Sequence, residues 1–204
     1  LPAILLMSGG AGIGHVADLA TAIDDACLPA QLAIVAGRNE ELEAHLRAVA
    51  WRNQTHIYGF MREVPTLMHA SDIALTKAGG LSVSEALAAG LPIILHSAIQ
   101  GQETGNVEHV VENGAGVWAP SSAEVVRTLR RWLVQDPQEW QRFTDAARAL
   151  GRAQAADEIA DLVFKAGSQM KAKTSRVTRR LRLATQIRPL RAWAKRYARR
   201  MLRS

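Results

Sequence analysis

Short apolar runs alternate with longer amphipathic segments from Ala3 to Pro120. Helices are predicted over four segments: His15–Cys27, Glu40–Val49, Ser82–Ala89 and Gln102–Glu112. The apolar runs are typical of strands, and six are predicted: Ala3–Met7, Gln31–Ala36, His56–Tyr58, Asp72–Thr76, Pro92–Leu95 and Gly116–Trp118. Because each strand is almost continuously apolar and helices separate the strands, the pattern predicts a doubly wound α/β domain with a mostly parallel six-stranded sheet.

After Pro120 the pattern becomes helical throughout. Ser121 and Ser122 can cap a helix that runs to about Gln135, and Asp136-Pro137 begins the next helix. Gly151 interrupts a further helix that ends near Lys165. We therefore expect an α/β domain over residues 1–165 and a separate tail over residues 166–204.

Composition and charge change the picture mainly for this tail. The 204-residue chain is 48% hydrophobic and 22% charged, which excludes a largely disordered protein. A single cysteine, Cys27, excludes an intramolecular disulfide and suggests a reducing compartment. Fourteen of the 25 Lys and Arg residues lie in 165–204, which has no Asp or Glu, whereas the remainder carries 11 basic and 19 acidic residues. An acidic body is thus followed by a basic tail.

The basic tail has helical periodicity after Pro189. An apolar face that includes Trp193 and Tyr197 lies opposite a basic face, which is typical of a helix that lies in a lipid headgroup layer. The residues expected to bind a membrane are Arg191, Trp193, Lys195, Arg196, Tyr197, Arg199 and Arg200. A solvated extension and an arm that binds nucleic acid are the alternatives, because arginines bind any phosphate backbone.

Two glycine-rich turns each follow a predicted strand and precede a predicted helix. The first contains Gly10 and Gly12, and it lacks both the G-x-G-x-x-G spacing and the lysine of a P-loop. In the second, Ser82 is a candidate N-cap, and Glu85 three residues later completes a capping-box pattern. Both turns should lie at the carboxyl edge of the sheet, where helix N-termini favour an anion such as a diphosphate.

The segments that surround these turns resemble one family. They are KAGGLSVSEAL at 77–87, GLPIIL at 90–95 and GQETGN at 101–106, with Gly37-Arg38-Asn39 and Gly59-Phe60-Met61 in the same order and spacing. They resemble the carboxyl-terminal domain of the monogalactosyldiacylglycerol synthase and processive diacylglycerol glucosyltransferase family. That family belongs to glycosyltransferase family 28 and is related to the peptidoglycan GlcNAc transferase. The resemblance covers about Ile4 to Pro120.

The resemblance implies the carboxyl-terminal lobe of a GT-B fold, which binds a nucleotide sugar. Glu85 would hold the ribose, Phe60 and Met61 would border the uracil, and Gln102 and Glu103 would reach the sugar. The groups expected near the diphosphate or elsewhere around the donor are Gly10, Gly12, Asn39, Lys77, Gly79, Gly80, Leu81, Ser82 and Asn106. Family membership also implies inversion at the sugar, a lipid acceptor and a missing amino-terminal lobe that would supply the catalytic base.

These implications favour a hexosyltransferase that is peripheral on the cytoplasmic face of a membrane, with nucleic acid an unlikely partner. No catalytic residue can be named in this chain, which we expect to bind donor without turnover. No Asp-x-Asp sequence occurs, so we expect neither a metal nor a cofactor. The alternatives are a non-catalytic donor-binding subunit that needs a partner chain, and a sugar-nucleotide epimerase of the same fold.

Overall fold

The sheet has six parallel strands in the order β3-β2-β1-β4-β5-β6. A computed structural model describes residues 1–7 and 16–168. The strands are β1 (Ala3–Met7), β2 (Gln31–Val35), β3 (Thr55–Tyr58), β4 (Ile73–Lys77), β5 (Ile93–Ser97) and β6 (Gly116–Trp118). The predicted α/β class and six strands are confirmed. Parallel strands that are covered on both faces are almost continuously apolar, so these runs identify them in the sequence.

Seven helices follow the strands in the first part of the chain. They are α1 (Val16–Asp25), α2 (Glu40–Ala48), α3 (Val64–His69), α4 (Gly80–Ala88), α5 (Thr104–Glu112), α6 (Ser122–Arg130) and α7 (Pro137–Leu150). Helix α3 was absent from the sequence-based prediction, because a six-residue helix is too short to show a periodic pattern. The predicted helix to Gln135 is divided, since Arg131–Gln135 forms a π-helical segment.

The core lies on both faces of the sheet, because alternate side chains of each strand point to opposite sides. In β1, Ile4 and Leu6 belong to one buried cluster, which also contains Trp132. Leu5 and Met7 belong to the other cluster, which packs against α4 and α5. Both faces of the central strands are therefore covered, so a ligand can reach these strands only at their ends.

Contacts divide the chain into two compact units, Leu1–Ala153 and Gln154–Ser204. The division falls before the boundary expected between residues 165 and 166, and that expected boundary lies inside a helix, α8, over residues 155–168. Gly151 ends α7, and a Cβ there would overlap the Leu87 carbonyl oxygen, so the close approach of two backbones requires glycine. The predicted tail helix after Pro189 lies outside the described residues.

Candidate functional site

The candidate site lies at the carboxyl ends of the two central strands. β1 and β4 are adjacent and parallel, and Met7 pairs with Thr76 at their ends. Successive strands are added on one side of β1 up to β3 and on the other side from β4 to β6. The direction in which strands are added therefore reverses between β1 and β4. In open α/β sheets ligands bind at such a switch point, because the loops on either side diverge there and leave a crevice.

The first glycine turn joins β1 to α1 at this switch point. Gly10 and Gly12 fall within residues 8–15, outside the part of the chain that the structure describes. Their predicted contact with a diphosphate stays a prediction. The flanking residues are described: β1 ends at Met7, next to the end of β4.

The second glycine turn joins β4 to α4, and here one prediction is wrong. The N-cap of α4 is Gly79, in an extended conformation, and no side chain caps the helix. Ser82 lies inside the first turn, so the capping box predicted for Ser82 and Glu85 does not form. The helix begins earlier because Gly79 and Gly80 allow the chain to turn directly after the strand. Consequently the amides of Gly80, Leu81 and Ser82 start α4 without a side-chain acceptor.

A cavity of about 300 Å³ opens beside this turn. Four residues predicted from the sequence line it: Phe60, Met61, Ser82 and Glu85. The remaining lining comes from β1, β2, α3 and the loops between them: Met7, Val35, Gly37, Arg62, Val64 and Pro65. The carboxylate of Glu85 is exposed, and it lies on α4 one turn beyond the uncapped amides. An apolar cavity with one carboxylate and a helix start suits a ligand with an aromatic ring and hydroxyl groups.

Phe60 borders the cavity with one ring face covered. The guanidinium carbon of Arg38 lies 4.7 Å from the centroid of the ring, a cation–π contact. The Phe60 side chain is still 57% exposed, so part of the ring can accept a stacked base. Arg38 and Arg62 were not singled out from the sequence. Arg38 stands in the Gly37-Arg38-Asn39 segment that carried the resemblance, which was the available signal.

Asn39 has a structural role in the described chain. Its side-chain oxygen accepts a hydrogen bond of 2.9 Å from the Leu42 amide and caps α2. Asn39 does not line the cavity that contains Glu85. Its predicted contact with the donor stays a prediction.

A partly buried ion pair connects the β4–α4 turn to the β5–α5 loop. Lys77 Nζ lies 2.7 Å from Oε1 of Glu103, whose Oε2 accepts from the Ile99 amide at 2.9 Å. Asn106 donates from Nδ2 to the Ala78 carbonyl at 2.8 Å. Burial opposes ionisation of Glu103, but the hydrogen bonds from Lys77 and Ile99 outweigh it and lower the pKa of the carboxyl below its ordinary value.

These contacts fix the side chain of Glu103 in the protein. It is 5% exposed and both carboxylate oxygens accept hydrogen bonds from the protein, so its expected contact with a sugar stays a prediction. Gln102, its neighbour, is exposed on the same loop and remains available as a sugar contact. The sequence could not distinguish the two side chains, because the partner of Glu103 comes from a different loop.

Two polar side chains at this edge were missed by the sequence analysis. β4 and β5 shift register so that Thr76 pairs with Leu95 and Lys77 with Ser97, which leaves His96 as the extra residue of a bulge. Nε2 of His96 and Oγ1 of Thr76 are buried with no hydrogen-bond partner among the described residues. Burial lowers the pKa of His96, although a hydrogen bond with the Met7 backbone partly opposes the shift. Bulges commonly occur beside functional sites.

Within residues 1–7 and 16–168, no group of three or more His, Cys, Asp or Glu side chains is arranged to hold a metal ion. Over the same residues, none of the helices combines the length and apolarity that a membrane span requires.

Sequence comparison identifies the family. The model of the family described as Glycosyl transferases group 1 matches residues 11–150. The chain belongs to this glycosyltransferase family. Among its relatives, the probable monogalactosyldiacylglycerol synthase 3 of Oryza sativa subsp. japonica is 40% identical over 166 residues, which are 78% of this chain and 33% of the relative. Monogalactosyldiacylglycerol synthase 2 of Arabidopsis thaliana is 37% identical, with 78% of this chain and 36% of the relative covered.

The chain spans about a third of the length of these curated relatives. The resemblance expected from the glycine turns and the GQETGN segment is confirmed by them. The match covers residues 11–150, which include the β4–α4 turn, the Lys77–Glu103 pair and the residues that line the cavity except Met7. The basic tail lies outside the part of the chain that the family model matches.

Solved structures agree on the fold. Glycosyltransferase VinC in complex with DTDP aligns with a TM-score of 0.60 at 17% identity, over 80% of this chain and 41% of that one. The calicheamicin glycosyltransferase CalG4 aligns with a TM-score of 0.56 at 21% identity, over 81% and 44%. A putative UDP-N-acetylglucosamine 2-epimerase from Listeria monocytogenes gives 0.60 at 16%, over 78% and 43%. The fold is the carboxyl-terminal lobe of a GT-B glycosyltransferase, as the sequence predicted.

Proposed function

We propose that this chain is the UDP-sugar-binding lobe of a hexosyltransferase that acts on a membrane lipid. The observation that carries the proposal is that Ser82 and Glu85 of α4 line one cavity with Phe60 and Met61, beside a helix start without a side-chain cap. Membership of a glycosyltransferase family supports a sugar donor. Relatives named monogalactosyldiacylglycerol synthase support a diacylglycerol-like acceptor.

The ribose, the base and the diphosphate of the donor each have a chemically matched group. The ionised carboxylate of Glu85 accepts two hydrogen bonds from the ribose diol. Phe60 and the backbone of Met61 border the base at the far end of the cavity. The amides of Gly80, Leu81 and Ser82 point along the axis of α4 toward the diphosphate, where the helix dipole adds partial positive charge.

The same arrangement supports the chemistry of transfer. When the bond between the sugar and the diphosphate breaks, negative charge develops on the departing UDP. Amides at a helix start stabilise this charge without a metal ion, because they are already oriented toward it. We therefore propose a metal-independent reaction, with inversion at the sugar as the resemblance implies and with a catalytic base supplied by a further lobe.

Calorimetry on the purified chain tests the donor site directly. Titration with UDP, UDP-galactose and UDP-glucose should give saturable binding. ATP and GTP should bind at least about tenfold more weakly, because Phe60 and Met61 border the base, whereas an uncapped helix start alone would bind all nucleotides equally. Addition of EDTA should leave the affinity for UDP unchanged. A folded sample that binds no UDP, or that binds all nucleotides equally, would contradict the proposed function.

The basic tail is proposed to bring the enzyme to its acceptor. Arg191, Trp193, Lys195, Arg196, Tyr197, Arg199 and Arg200 would lie on an anionic membrane surface, peripheral on the cytoplasmic side. Sedimentation with vesicles of anionic or neutral lipid should show binding to the anionic vesicles only. Removal of residues 167–204 should abolish it. Equal binding to both vesicle types would refute the electrostatic part of the proposal.

An epimerase is the second candidate, since the Listeria structure named as an epimerase has a similar TM-score to the transferases. Incubation with UDP-GlcNAc and analysis of the products distinguishes the two, because only an epimerase produces a new sugar nucleotide without an acceptor. A non-catalytic donor-binding subunit is the third. It predicts that no further lobe is encoded in phase upstream of Leu1, which the upstream DNA sequence decides.

A further inference from the structure

The Lys77–Glu103 pair joins two loops that are far apart in sequence. The pair forms between side chains 26 positions apart, at 2.7 Å, and Asn106 adds a hydrogen bond of 2.8 Å from the same loop to Ala78. These two contacts fix the start of α5 against the start of α4. The β4–α4 turn, whose helix carries no side-chain cap, is thereby held from outside its own element.

Burial of the pair is difficult to explain by stability. The Glu103 side chain is 6% exposed and the Lys77 side chain 31% exposed, so one charge is removed from water and its partner is only partly removed. Buried ion pairs commonly stabilise a fold no more than apolar residues of the same volume would, because desolvation offsets the attraction. Stability alone therefore does not account for a charged pair at this position.

The position of the ammonium indicates that role. A Cβ built on Gly79 would lie 3.5 Å from Lys77 Nζ and 3.7 Å from Glu103 Oε1, so the charge is immediately beside the N-cap of α4. An ammonium group has three donors, and Glu103 takes one of them. The other two can serve an anion that binds to the amides of the first turn.

We propose that Glu103 is a positioning residue that holds the Lys77 ammonium beside the start of α4 for the diphosphate of a nucleotide. In this proposal Glu103 acts through Lys77 and not on the sugar, because its side chain is 6% exposed and each of its oxygens is already held by the protein. Sugar contacts from this loop fall to the exposed Gln102. The proposal rests on the proposed function, since it takes the cavity to bind a nucleotide diphosphate.

Three probes separate a positioning role from a sugar contact and from a general structural role. Uridine reaches Phe60 and Glu85 but has no diphosphate, UDP adds the diphosphate, and UDP-galactose adds the sugar. The variants are Glu103→Gln, which keeps an oxygen for the Ile99 amide, Lys77→Met, and the double variant. Glu108→Gln, an exposed change on the same helix, is the matched control.

Glu103→Gln and Lys77→Met should each weaken UDP and UDP-galactose by the same factor, about tenfold, and should leave uridine unchanged. The double variant should be no weaker than Lys77→Met alone, because Glu103 acts through Lys77. Glu108→Gln should behave as the unmodified chain.

Several results would overturn the proposal. Loss confined to UDP-galactose would make Glu103 a sugar contact, and equal loss of uridine would make the pair structural. Unchanged UDP binding in both single variants would remove the role of Lys77. If Lys77→Met fails to fold, Lys77→Gln replaces it with the same expected loss, and the prediction for Glu103→Gln stands by itself. An unmodified chain that binds neither uridine nor UDP would overturn the proposed function and this inference together, whereas binding that the variants leave unchanged overturns the inference alone.

Discussion

The helices of this protein begin in two different ways. Helices α2, α6 and α7 start with a side-chain cap, from Asn39, from a capping box of Ser121 and Glu124, and from Asp136. Helices α3, α4 and α5 start without one, at Glu63, Gly79 and Glu103. Of these three, α4 follows β4, whose carboxyl end lies at the switch point beside β1.

The helix starts without a side-chain cap mark where the fold has less local stability. A side-chain cap typically contributes about 1 kcal/mol, because it satisfies an amide that the helix cannot. The capped helices gain that contribution. At α4 the sequence offers Gly79 and leaves the amides to another acceptor. Such an exchange is expected where a ligand provides the acceptor, since function commonly breaks one local rule of folding.

The largest effect should come from the carboxylate beside the uncapped helix. Glu85→Ala should weaken UDP binding by about tenfold to a hundredfold, because hydrogen bonds to a charged group are lost while the amides of α4 remain. Calorimetry with UDP measures this. Glu108→Ala is the control for a lost exposed carboxylate. An unchanged affinity in Glu85→Ala would separate Glu85 from the site.

A cap added to α4 should remove part of the contrast. In Gly79→Ser the hydroxyl would accept from the first-turn amides, so UDP binding should fall about fivefold while stability rises by a few tenths of a kcal/mol. The position has ordinary backbone angles and the nearest atom to a Cβ is 3.4 Å away, so the side chain fits.

Gly79→Ala is the matched control for this change, because it adds the Cβ without an acceptor. It should bind UDP more tightly than Gly79→Ser. Equal affinities in the two variants would show that the amides of α4 are not used by the ligand.

Removal of a cap from another helix should lower stability without an effect on UDP binding. Ser121→Ala deletes the hydroxyl that accepts from the Glu124 amide, and we expect the free energy of unfolding to fall by about 1 kcal/mol with UDP binding unchanged. Urea denaturation and calorimetry measure the two quantities. A loss of UDP affinity would mean that the capped and uncapped helix starts are not functionally distinct.

The smallest effect is a dependence of stability on pH at the bulge. The pKa of His96 is lowered by burial from its ordinary 6.5. The unfolded chain therefore binds a proton on His96 more readily than the folded chain, so stability is complete above about pH 6.5 and falls as the pH decreases below it, by at most about 1.4 kcal/mol per pH unit. Denaturation of His96→Gln at pH 7.5 and 5.5 should show a smaller difference than the unmodified chain. An identical difference would exclude His96 as its source.

Much of the sheet edge was predictable because its signals are local. The two glycine turns, the strand before each and Glu85 after the second are contiguous in sequence, and their placement follows from strand and helix periodicity. The start of α4 was misplaced because Ser82 is a good N-cap in isolation, and only the path of the chain from Lys77 to Gly80 decides which residue occupies that position. Helix α3 was not predicted because a helix of one and a half turns is too short to show a period in its apolar residues.

The alternating α/β order, the turns at one edge and the family could be predicted from the amino-acid sequence, because apolar period and glycine spacing are properties of neighbouring residues. The contact of Glu103 with Lys77 and the position of His96 in a bulge could not. Each of these depends on a partner that comes from elsewhere in the chain or on the register of two strands. Burial and pairing of charge are set where separate loops meet, and a linear pattern does not contain that information.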